Sequence, residues 1–406
     1  MDEQEAITKA QALLNRPGDA NVSPLAVYRR AAKADSVQQR RPNVVLIMME
    51  SMSAKFMKHF GQSETLTPFL DSLYTRSISF RNFYSAGIHT NHGLYATLYS
   101  FPAMMKRNLM KGSVIPRYSG LPTVLKENGY YNLFFMTHEG QYDNMNAFFR
   151  TNGYDEVFSQ EDYPADKVVN SFGVQDDFLY DYAIPVLNQR AATGQPFFAT
   201  LLSISNHPPY VIPPFFHPKT SEPEMQIVEY ADWALRQFFE EARKQPWFDN
   251  TIFVLEGDHG KLVGDAECEL PESYNHIPLM IYSNRIQPEE KTAFGGQVDI
   301  QPTILGLLNI DYLQNNFGVD LLKEERPCMF YTADNMVVGR NDTLLYLYNY
   351  ETQQELTYDI GNGKLNAVPM DDSFLPLKEY SFSMLQSAEF LVKHGKTVNS
   401  VPFTQQ

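Results

Sequence analysis

Uninterrupted apolar runs that end in polar residues recur along the chain and predict strands buried on both faces. Residues 44–49 lead into Glu50, and residues 252–255 lead into a turn that contains Asp258 and His259. Continuous apolar runs of this kind are typical of strands inside parallel sheets. Ligands bind beyond the carboxyl ends of such strands, so we expect these polar residues at the ligand-binding edge of a sheet.

Strand and helix patterns alternate between Pro42 and about Leu322, as expected for an α/β fold. Beyond Pro327 the strand patterns shorten, and a helical pattern follows them. We predict an α/β fold whose mostly parallel central sheet is covered by helices on both faces, with a small C-terminal antiparallel-sheet subdomain. The expected parts are an N-terminal helical lead-in (1–40), a main domain (41–322) and a small α+β subdomain (323–406).

The two acidic strand ends predict a metal site. Asp258 and His259 offer a hard oxygen and a borderline nitrogen, which suit zinc, manganese or magnesium. Taken alone, this pair could equally be a polar turn. Glu50, however, directly follows six apolar residues, where an unpaired carboxylate is costly to bury. Two such strand ends favour the metal.

Thr90 lies where an irregular turn runs into a helical pattern. Backbone N–H groups at a helix start suit an anion, and a hydroxyl beside a metal ion loses its proton more readily. Thr90 is therefore a candidate nucleophile for attack on phosphorus. Taken alone, it could also be an ordinary N-cap threonine.

In this order and spacing, the motifs resemble the alkaline phosphatase superfamily and, within it, the sulfatase-like lipoteichoic acid synthase and phosphoglycerol transferase family. The resemblance covers most of the chain. It rests on residues 41–51, 66–73, the turn at Thr90, 205–210, 247–251 leading into 258–260, 276–282 and 298–305.

The resemblance implies a metal shell in which Thr90 is also the nucleophile, and the ion is expected to be Mn²⁺, with Zn²⁺, Mg²⁺ or Ca²⁺ as alternatives. It also implies substrate contacts in residues 138–145, where no counterpart to the tryptophan and arginine of the Gram-positive synthases is found, so specificity for phosphoglycerol stays open. The implied metal ligands are Glu50, Thr90, Asp258 and His259, and the implied substrate contacts are His138, Asp143, Asn144 and His207.

Further polar residues near these motifs are candidate phosphate contacts or general acids. They are His89, Asn91, His92 and His276. Solvated turn residues are an equal alternative for His89 and His92. His276 precedes a predicted strand instead of following one, which makes it the weakest candidate.

One departure from the true sulfatases bears on the reaction. Those enzymes mature a Cys or Ser to formylglycine, in a turn with Pro and Arg two and four residues later. Thr90 cannot form that aldehyde, and His92 and Leu94 occupy the other two positions. Phosphoryl or phosphodiester chemistry therefore remains.

We expect a metal-dependent transferase that moves a phosphoglycerol or related phospho-alcohol from a phospholipid headgroup to an acceptor, through a phosphothreonine-type intermediate on Thr90. A phosphodiesterase or phosphatase that uses water as acceptor is the alternative. A catalytically silent binding domain is a third reading, disfavoured because the four implied metal ligands are all present.

Charge and hydropathy constrain partners and location. A formal net charge of -15 argues against nucleic acid. No signal peptide or apolar run near the roughly 20 residues of a membrane span is found. The resemblance nevertheless implies a soluble domain of a membrane protein, acting outside the cytoplasmic membrane, in the periplasm or extracellular space.

Besides a phospholipid or other phosphodiester substrate, we expect a membrane surface as a partner. A basic cluster could face anionic headgroups, although a solvated helix face is the commoner explanation; it consists of Arg29, Arg30, Lys33, Arg40 and Arg41. The apolar and basic segment 101–111 could approach lipid, although packing against the core is the commoner explanation. Whether Cys268 and Cys328 pair is left open.

Overall fold

The computed structural model describes residues 1–30 and 41–399. Residues 31–40 of the predicted lead-in, with Lys33 and Arg40, lie outside the described residues. The helices are α1 (Glu3–Leu14), α2 (Pro68–Tyr74), α3 (Thr90–Tyr99), α4 (Leu121–Glu127), α5 (Met145–Thr151), α6 (Asp176–Ala192), α7 (Pro223–Ala242), α8 (Ile300–Leu307) and α9 (Leu375–Lys393). The strands are β1 (Val27–Arg29), β2 (Asn43–Met49), β3 (Ile78–Tyr84), β4 (Tyr131–Phe135), β5 (Glu156–Phe158), β6 (Phe197–Leu202), β7 (Thr251–Gly257), β8 (Leu279–Tyr282), β9 (Glu289–Gly296), β10 (Tyr312–Gln314), β11 (Met329–Thr332), β12 (Met336–Arg340), β13 (Leu344–Asn349), β14 (Gln354–Asp359) and β15 (Asn366–Ala367).

The central sheet has the strand order β5-β4-β6-β2-β7-β8-β3-β9 within the described residues. β8 runs antiparallel to both of its neighbours, and the other pairings are parallel. β2 pairs with β7 so that Met49 lies opposite Gly257. The residues that follow these two strands, Glu50 and Asp258, therefore leave the sheet side by side.

Both faces of the sheet are covered, which explains the continuous apolar runs. Along β2, Val44, Leu46 and Met48 pack into one buried cluster, and the alternating residues Val45 and Ile47 pack into another on the opposite face. Helices α3 and α8 contribute to the first cluster and helices α6 and α7 to the second. The predicted α/β fold is confirmed.

The small antiparallel sheet has the order β11-β12-β13-β14-β15 and packs against α9. Helix α1 also lies on α9, where Lys9 pairs with Glu379 at 3.2 Å and Lys393 pairs with Glu3 at 2.7 Å. The N-terminal helix therefore associates with the C-terminal helix. The division into three parts stays a prediction.

Packing accounts for much of the two segments considered for membrane contact. Arg29 is buried and donates to the Gln314 side chain at 2.9 Å. Phe101, Leu109 and Met110 belong to the core, so core packing explains the apolar part of that segment. Within residues 1–30 and 41–399, no helix has the length and apolar character of a membrane span. The two cysteines are not joined in a disulfide.

Candidate active site

Glu50, Asp258 and His259 converge beyond the carboxyl ends of β2 and β7. One ligand atom from each side chain lies within 4.8 Å of the others. The His259 Nε2 atom is 3.7 Å from Glu50 Oε1 and 3.6 Å from Asp258 Oδ2. Its Nδ1 atom lies 2.7 Å from the carbonyl oxygen of Gly260. Because a carbonyl only accepts, Nδ1 carries the hydrogen and Nε2 is left to bind an ion.

The electrostatics of this group fit a divalent cation. Glu50 and Asp258 are 1 % and 0 % exposed. Asp258 Oδ2 has no hydrogen-bond partner among the described residues. Burial, followed by the adjacent charge of Asp258, raises the pKa of Glu50 well above its usual range. Burying two facing carboxylates, one of them with an unpaired oxygen, costs free energy unless a positive charge lies beside them. The oxygen and nitrogen ligands of this group suit Mn²⁺, Mg²⁺ or Zn²⁺.

Ser51 ties the two carboxylates together. It adopts a left-handed backbone conformation with φ of 50°, which is uncommon outside glycine. Its N–H donates to Asp258 Oδ1 at 2.8 Å, and its hydroxyl donates to Glu50 Oε1 at 2.6 Å. The Asn206 amide donates to the carbonyl oxygens of Glu50 and Ser51 at 3.2 and 3.1 Å. These contacts hold the strained turn in place.

Thr90 begins α3, and its hydroxyl donates to Glu50 Oε2 at 3.4 Å. The helix lies so close to the Asp258 turn that a Cβ at Gly93 would be 2.2 Å from the Asp258 carbonyl oxygen, which makes glycine necessary there. The Gln297 amide donates to this same oxygen at 2.8 Å, and its Oε1 accepts from the Ala86 N–H at 2.9 Å. The candidate nucleophile is therefore fixed beside the carboxylates.

The neighbours of Thr90 differ in environment. His89 is exposed, and its Nε2 pairs with Asp334 at 2.6 Å, in the turn between β11 and β12. His92 is buried, and neither of its ring nitrogens has a partner among the described residues. Burial lowers the pKa of His92 to about 3. His92 is therefore not the solvated turn residue considered as an alternative, whereas exposed His89 still fits that description. The Asn91 Oδ1 atom is buried and also lacks a described partner.

A row of rings connects two loops at the same edge of the sheet. The ring of His138 lies 4.7 Å from Tyr142, and that of Phe172 lies 6.4 Å from Tyr142 and 4.0 Å from His207. His138 is buried, and burial lowers its pKa. The structure thus brings His138 and His207 to the same edge of the sheet. The rings of Tyr142 and Phe172 link them, and the sequence analysis did not single out these two residues.

Asp143 and Asn144 follow in strained backbone, with φ values of 50° and 63°. The Asp143 carboxylate pairs with Lys111 at 2.6 Å, and the Asn144 amide donates to the Met110 carbonyl at 3.4 Å. Both side chains thus anchor their loop to the segment after α3. Their substrate contacts stay predictions.

Comparison with known proteins assigns the family. A family model described as Sulfatase matches residues 42–310. The chain belongs to the sulfatase family.

Curated relatives of this sulfatase-family chain are named for synthase or transferase activity. It is 24 % identical to lipoteichoic acid synthase 2 of Bacillus subtilis over 315 residues, which cover 70 % of this chain and 47 % of the relative. It is 25 % identical to phosphoglycerol transferase I of Xanthomonas campestris over 322 residues, 75 % of this chain and 46 % of the relative. The chain thus spans about half the length of these relatives.

Solved structures agree on the fold. A protein of the alkaline phosphatase superfamily from Vibrio parahaemolyticus superposes with a TM-score of 0.87 at 26 % identity, over 98 % of both chains. The lipoteichoic acid synthase LtaP from Listeria monocytogenes has a TM-score of 0.76 at 20 % identity, over 95 % of this chain and 98 % of its own. The superfamily resemblance is confirmed.

His276 lies outside the group of ligand atoms formed by Glu50, Asp258 and His259 in this sulfatase-family chain. Because β8 is antiparallel, its first residues lie at the edge where the neighbouring strands end, so His276 reaches that edge although it precedes a strand. Its ring stacks on Tyr84 at 5.1 Å, and its Nε2 is 2.8 Å from the Arg81 carbonyl oxygen. These contacts orient the ring, and a phosphate contact from His276 stays a prediction.

Lys261 is the main residue at this edge that the sequence did not reveal. Its Nζ donates to Asn206 Oδ1 at 2.6 Å and to the Tyr210 hydroxyl at 3.1 Å. The ammonium lies 5.4 and 4.8 Å from the ring centres of Phe56 and Tyr210. Burial lowers the pKa of Lys261 to about 8. Its position two residues after His259 was the available signal.

Proposed function

We propose that this domain is a metal-dependent transferase that moves a phosphoglycerol or related phospho-alcohol from a phospholipid headgroup to an acceptor hydroxyl through Thr90. The observation that supports the proposal most strongly is the 3.4 Å contact between the Thr90 hydroxyl and Glu50. Glu50 belongs to a carboxylate and imidazole group in which no described lysine or arginine pairs with the carboxylates. The names of the relatives, which include phosphoglycerol transferase I, favour the same transferred group.

A divalent ion, which we propose to be Mn²⁺, would be held by Glu50, Asp258, His259 and Thr90, and it would supply positive charge to the nucleophile and to a non-bridging phosphate oxygen. Glu50 accepts the hydrogen bond of the Thr90 hydroxyl and orients its oxygen. The N–H groups of Thr90 and Asn91, at the start of α3, have no acceptor inside the helix and are suited to a phosphate oxygen.

In the first displacement, Thr90 Oγ1 forms a bond to phosphorus and the bond between phosphorus and the oxygen of the leaving alcohol breaks. The threonine hydroxyl loses its proton and the leaving alkoxide gains one. In the second displacement, an acceptor hydroxyl attacks the phosphothreonine ester, the bond to Thr90 breaks, and the proton of the acceptor restores the threonine. With water as acceptor, the same two steps make a phosphodiesterase.

We propose that the reaction takes place at a membrane surface, outside the cytoplasmic membrane. The support is the resemblance to enzymes that act on phospholipid headgroups there. The chain spans about half the length of these curated relatives.

The test is intact mass spectrometry of the manganese-loaded protein after incubation with phosphatidylglycerol vesicles. We expect a glycerophosphate adduct on the wild-type protein and none on Thr90→Ala or on protein treated with a chelator. Absence of the adduct, with metal shown to be bound, would contradict phosphatidylglycerol as donor. Discharge of the adduct by an added polyol but not by water supports the transferase over the phosphodiesterase.

A further inference from the structure

The ammonium of Lys261 is held at the edge of the site with part of its binding capacity unused. A lysine ammonium has three N–H donors. Two of them are accounted for by the contacts to Asn206 and Tyr210. Asn206 also binds the backbone of Glu50 and Ser51, so Lys261 is connected through one side chain to the turn that carries the carboxylate. The ammonium is therefore fixed relative to the candidate metal ligands.

Lys261 also has no ion-pair partner of its own in the part of the chain that the structure describes. Across the described ranges 1–30 and 41–399, no carboxylate forms an ion pair with it within 4.0 Å. The acidic groups whose fields reach it are Glu224 and Glu50. The side chain is partly buried and lies against two aromatic rings. Removing a cation from water without a paired anion costs free energy, so this arrangement favours an anionic ligand.

We propose that Lys261 binds the phosphate of the substrate, through a charge-assisted hydrogen bond from its free N–H to a non-bridging oxygen. The inference rests on the proposed function, because it assumes a phosphate ester at this site. An ammonium acts as a point charge and tolerates several orientations of a tetrahedral anion. Asn206 and Tyr210 hold it in position, and Lys261 thereby contributes affinity for the phosphate group shared by a lipid headgroup and a free phosphate ester.

The direct test compares manganese-loaded wild-type protein with Lys261→Met by calorimetric titration of inorganic phosphate and of sn-glycerol 1-phosphate. We expect the dissociation constant of both anions to rise roughly 10- to 100-fold, as for loss of one hydrogen bond to a charged group. One Mn²⁺ ion should still bind to the folded variant, because Lys261 is not among the proposed metal ligands. Equal dissociation constants for the two proteins would overturn the proposal.

Lys55→Met is the matched control. Lys55 lies near the same edge but already pairs with Glu267 at 2.9 Å. Its removal is expected to change phosphate affinity less than about twofold, because an exposed and paired cation contributes little. An equal loss in both variants would show a general effect of charge and overturn the assignment to Lys261.

A measurement on the wild-type protein covers the case in which Lys261→Met does not fold. Amine acetylation is followed by peptide mass spectrometry with and without sn-glycerol 1-phosphate. We expect the ligand to slow modification of Lys261 several-fold and to leave Lys55 unaffected. Unchanged modification of Lys261 at a saturating ligand concentration would contradict the proposal.

The proposed function and the role of Lys261 can fail separately. Phosphate binding that depends on Lys261, without an adduct from phosphatidylglycerol, supports Lys261 and contradicts the lipid donor. If the adduct forms in Lys261→Met with the same KM for phosphatidylglycerol vesicles as in the wild type, the result supports the proposed function and contradicts the role of Lys261. A raised KM for vesicles together with weaker binding of free sn-glycerol 1-phosphate supports contact with the phosphate itself.

Discussion

Buried acids occur at two places in this protein, and their charges are balanced differently at each. Asp299 is 0 % exposed and faces Arg326, whose Nε donates to both carboxylate oxygens at 3.0 and 2.9 Å. The N–H groups of Gly296 and Val319 donate to Asp299 at 2.9 and 2.8 Å. Arg326 is itself satisfied by the Tyr380 hydroxyl and the Phe317 carbonyl. Every charge in this group therefore has a protein partner.

The group at the sheet edge is equally buried, but no lysine or arginine within residues 1–30 and 41–399 forms an ion pair with Glu50 or Asp258. Asp258 accepts two N–H groups on Oδ1, from Ser51 at 2.8 Å and His259 at 2.7 Å, and nothing described on Oδ2. Glu50 lies beside it and adds like charge. Burial is the same in the two groups, and the partners differ. Asp299, which stabilises the fold, pairs with Arg326, whereas no described lysine or arginine pairs with Glu50 and Asp258, which we expect to bind metal. This difference in partners, and not the depth of burial, distinguishes the two groups.

The largest effect expected from this comparison is on stability. Asp299→Asn leaves the Arg326 guanidinium buried without its counter-ion, so we expect the free energy of unfolding to fall by about 3–5 kcal/mol in urea denaturation. Glu355→Gln, which removes an exposed partner of Lys378, is the control and should cost less than about 1 kcal/mol. Similar losses for the two variants would mean that the buried pair does not stabilise the fold as described.

A smaller effect is expected where a side chain orients the unpaired acids. Ser51→Ala removes the hydroxyl that donates to Glu50 at 2.6 Å, and Mn²⁺ affinity should fall about 10-fold, at the lower end of what such supporting residues contribute. Ser53→Ala in the same turn is the control, because the Ser53 hydroxyl accepts from the Lys55 N–H at 3.2 Å and bonds to neither carboxylate of the site among the described residues. Titration calorimetry measures both. Unchanged Mn²⁺ affinity in Ser51→Ala would show that the Ser51 hydroxyl does not support metal binding.

The smallest effect should come from the exposed pair between His89 and Asp334, which lies beside the nucleophile but outside the buried group. Asp334→Ala removes a contact between two half-exposed side chains, so kcat/KM for a soluble phosphodiester such as bis(4-nitrophenyl) phosphate should fall less than about fivefold. A loss above 100-fold would place the turn between β11 and β12 in the catalytic machinery.

The fold was predictable where the hydrophobic pattern is unambiguous. The runs before Glu50 and before Asp258 are buried strands in the structure, because both faces of the sheet are covered. Both sets of polar residues were expected at the ligand-binding edge of a sheet, and the pairing of β2 with β7 places Glu50 beside the Asp258 turn. The helical pattern expected after the short C-terminal strands is α9, which spans Leu375–Lys393.

The remainder depends on contacts between residues distant in sequence. The antiparallel direction of β8 brings His276 to the ligand edge, and no local pattern sets that direction. The left-handed turn at Ser51 is stabilised by Asn206, more than 150 positions away. His92 is buried by the packing of α3, although its immediate neighbours in sequence are polar or glycine. Lys261 turns back toward Asn206, which sequence spacing alone does not show.

The central claim is that Glu50 and Asp258, which pair with no described lysine or arginine, bind a divalent metal ion. Titration of Mn²⁺ into metal-free protein tests it most directly, with Asp258→Asn beside the wild type. We predict one ion per wild-type chain and an affinity lowered by more than about 100-fold in Asp258→Asn, since a direct ligand should matter more than its hydrogen-bond partners. Equal Mn²⁺ affinity in the two proteins, or no binding by a folded wild type, would contradict the claim.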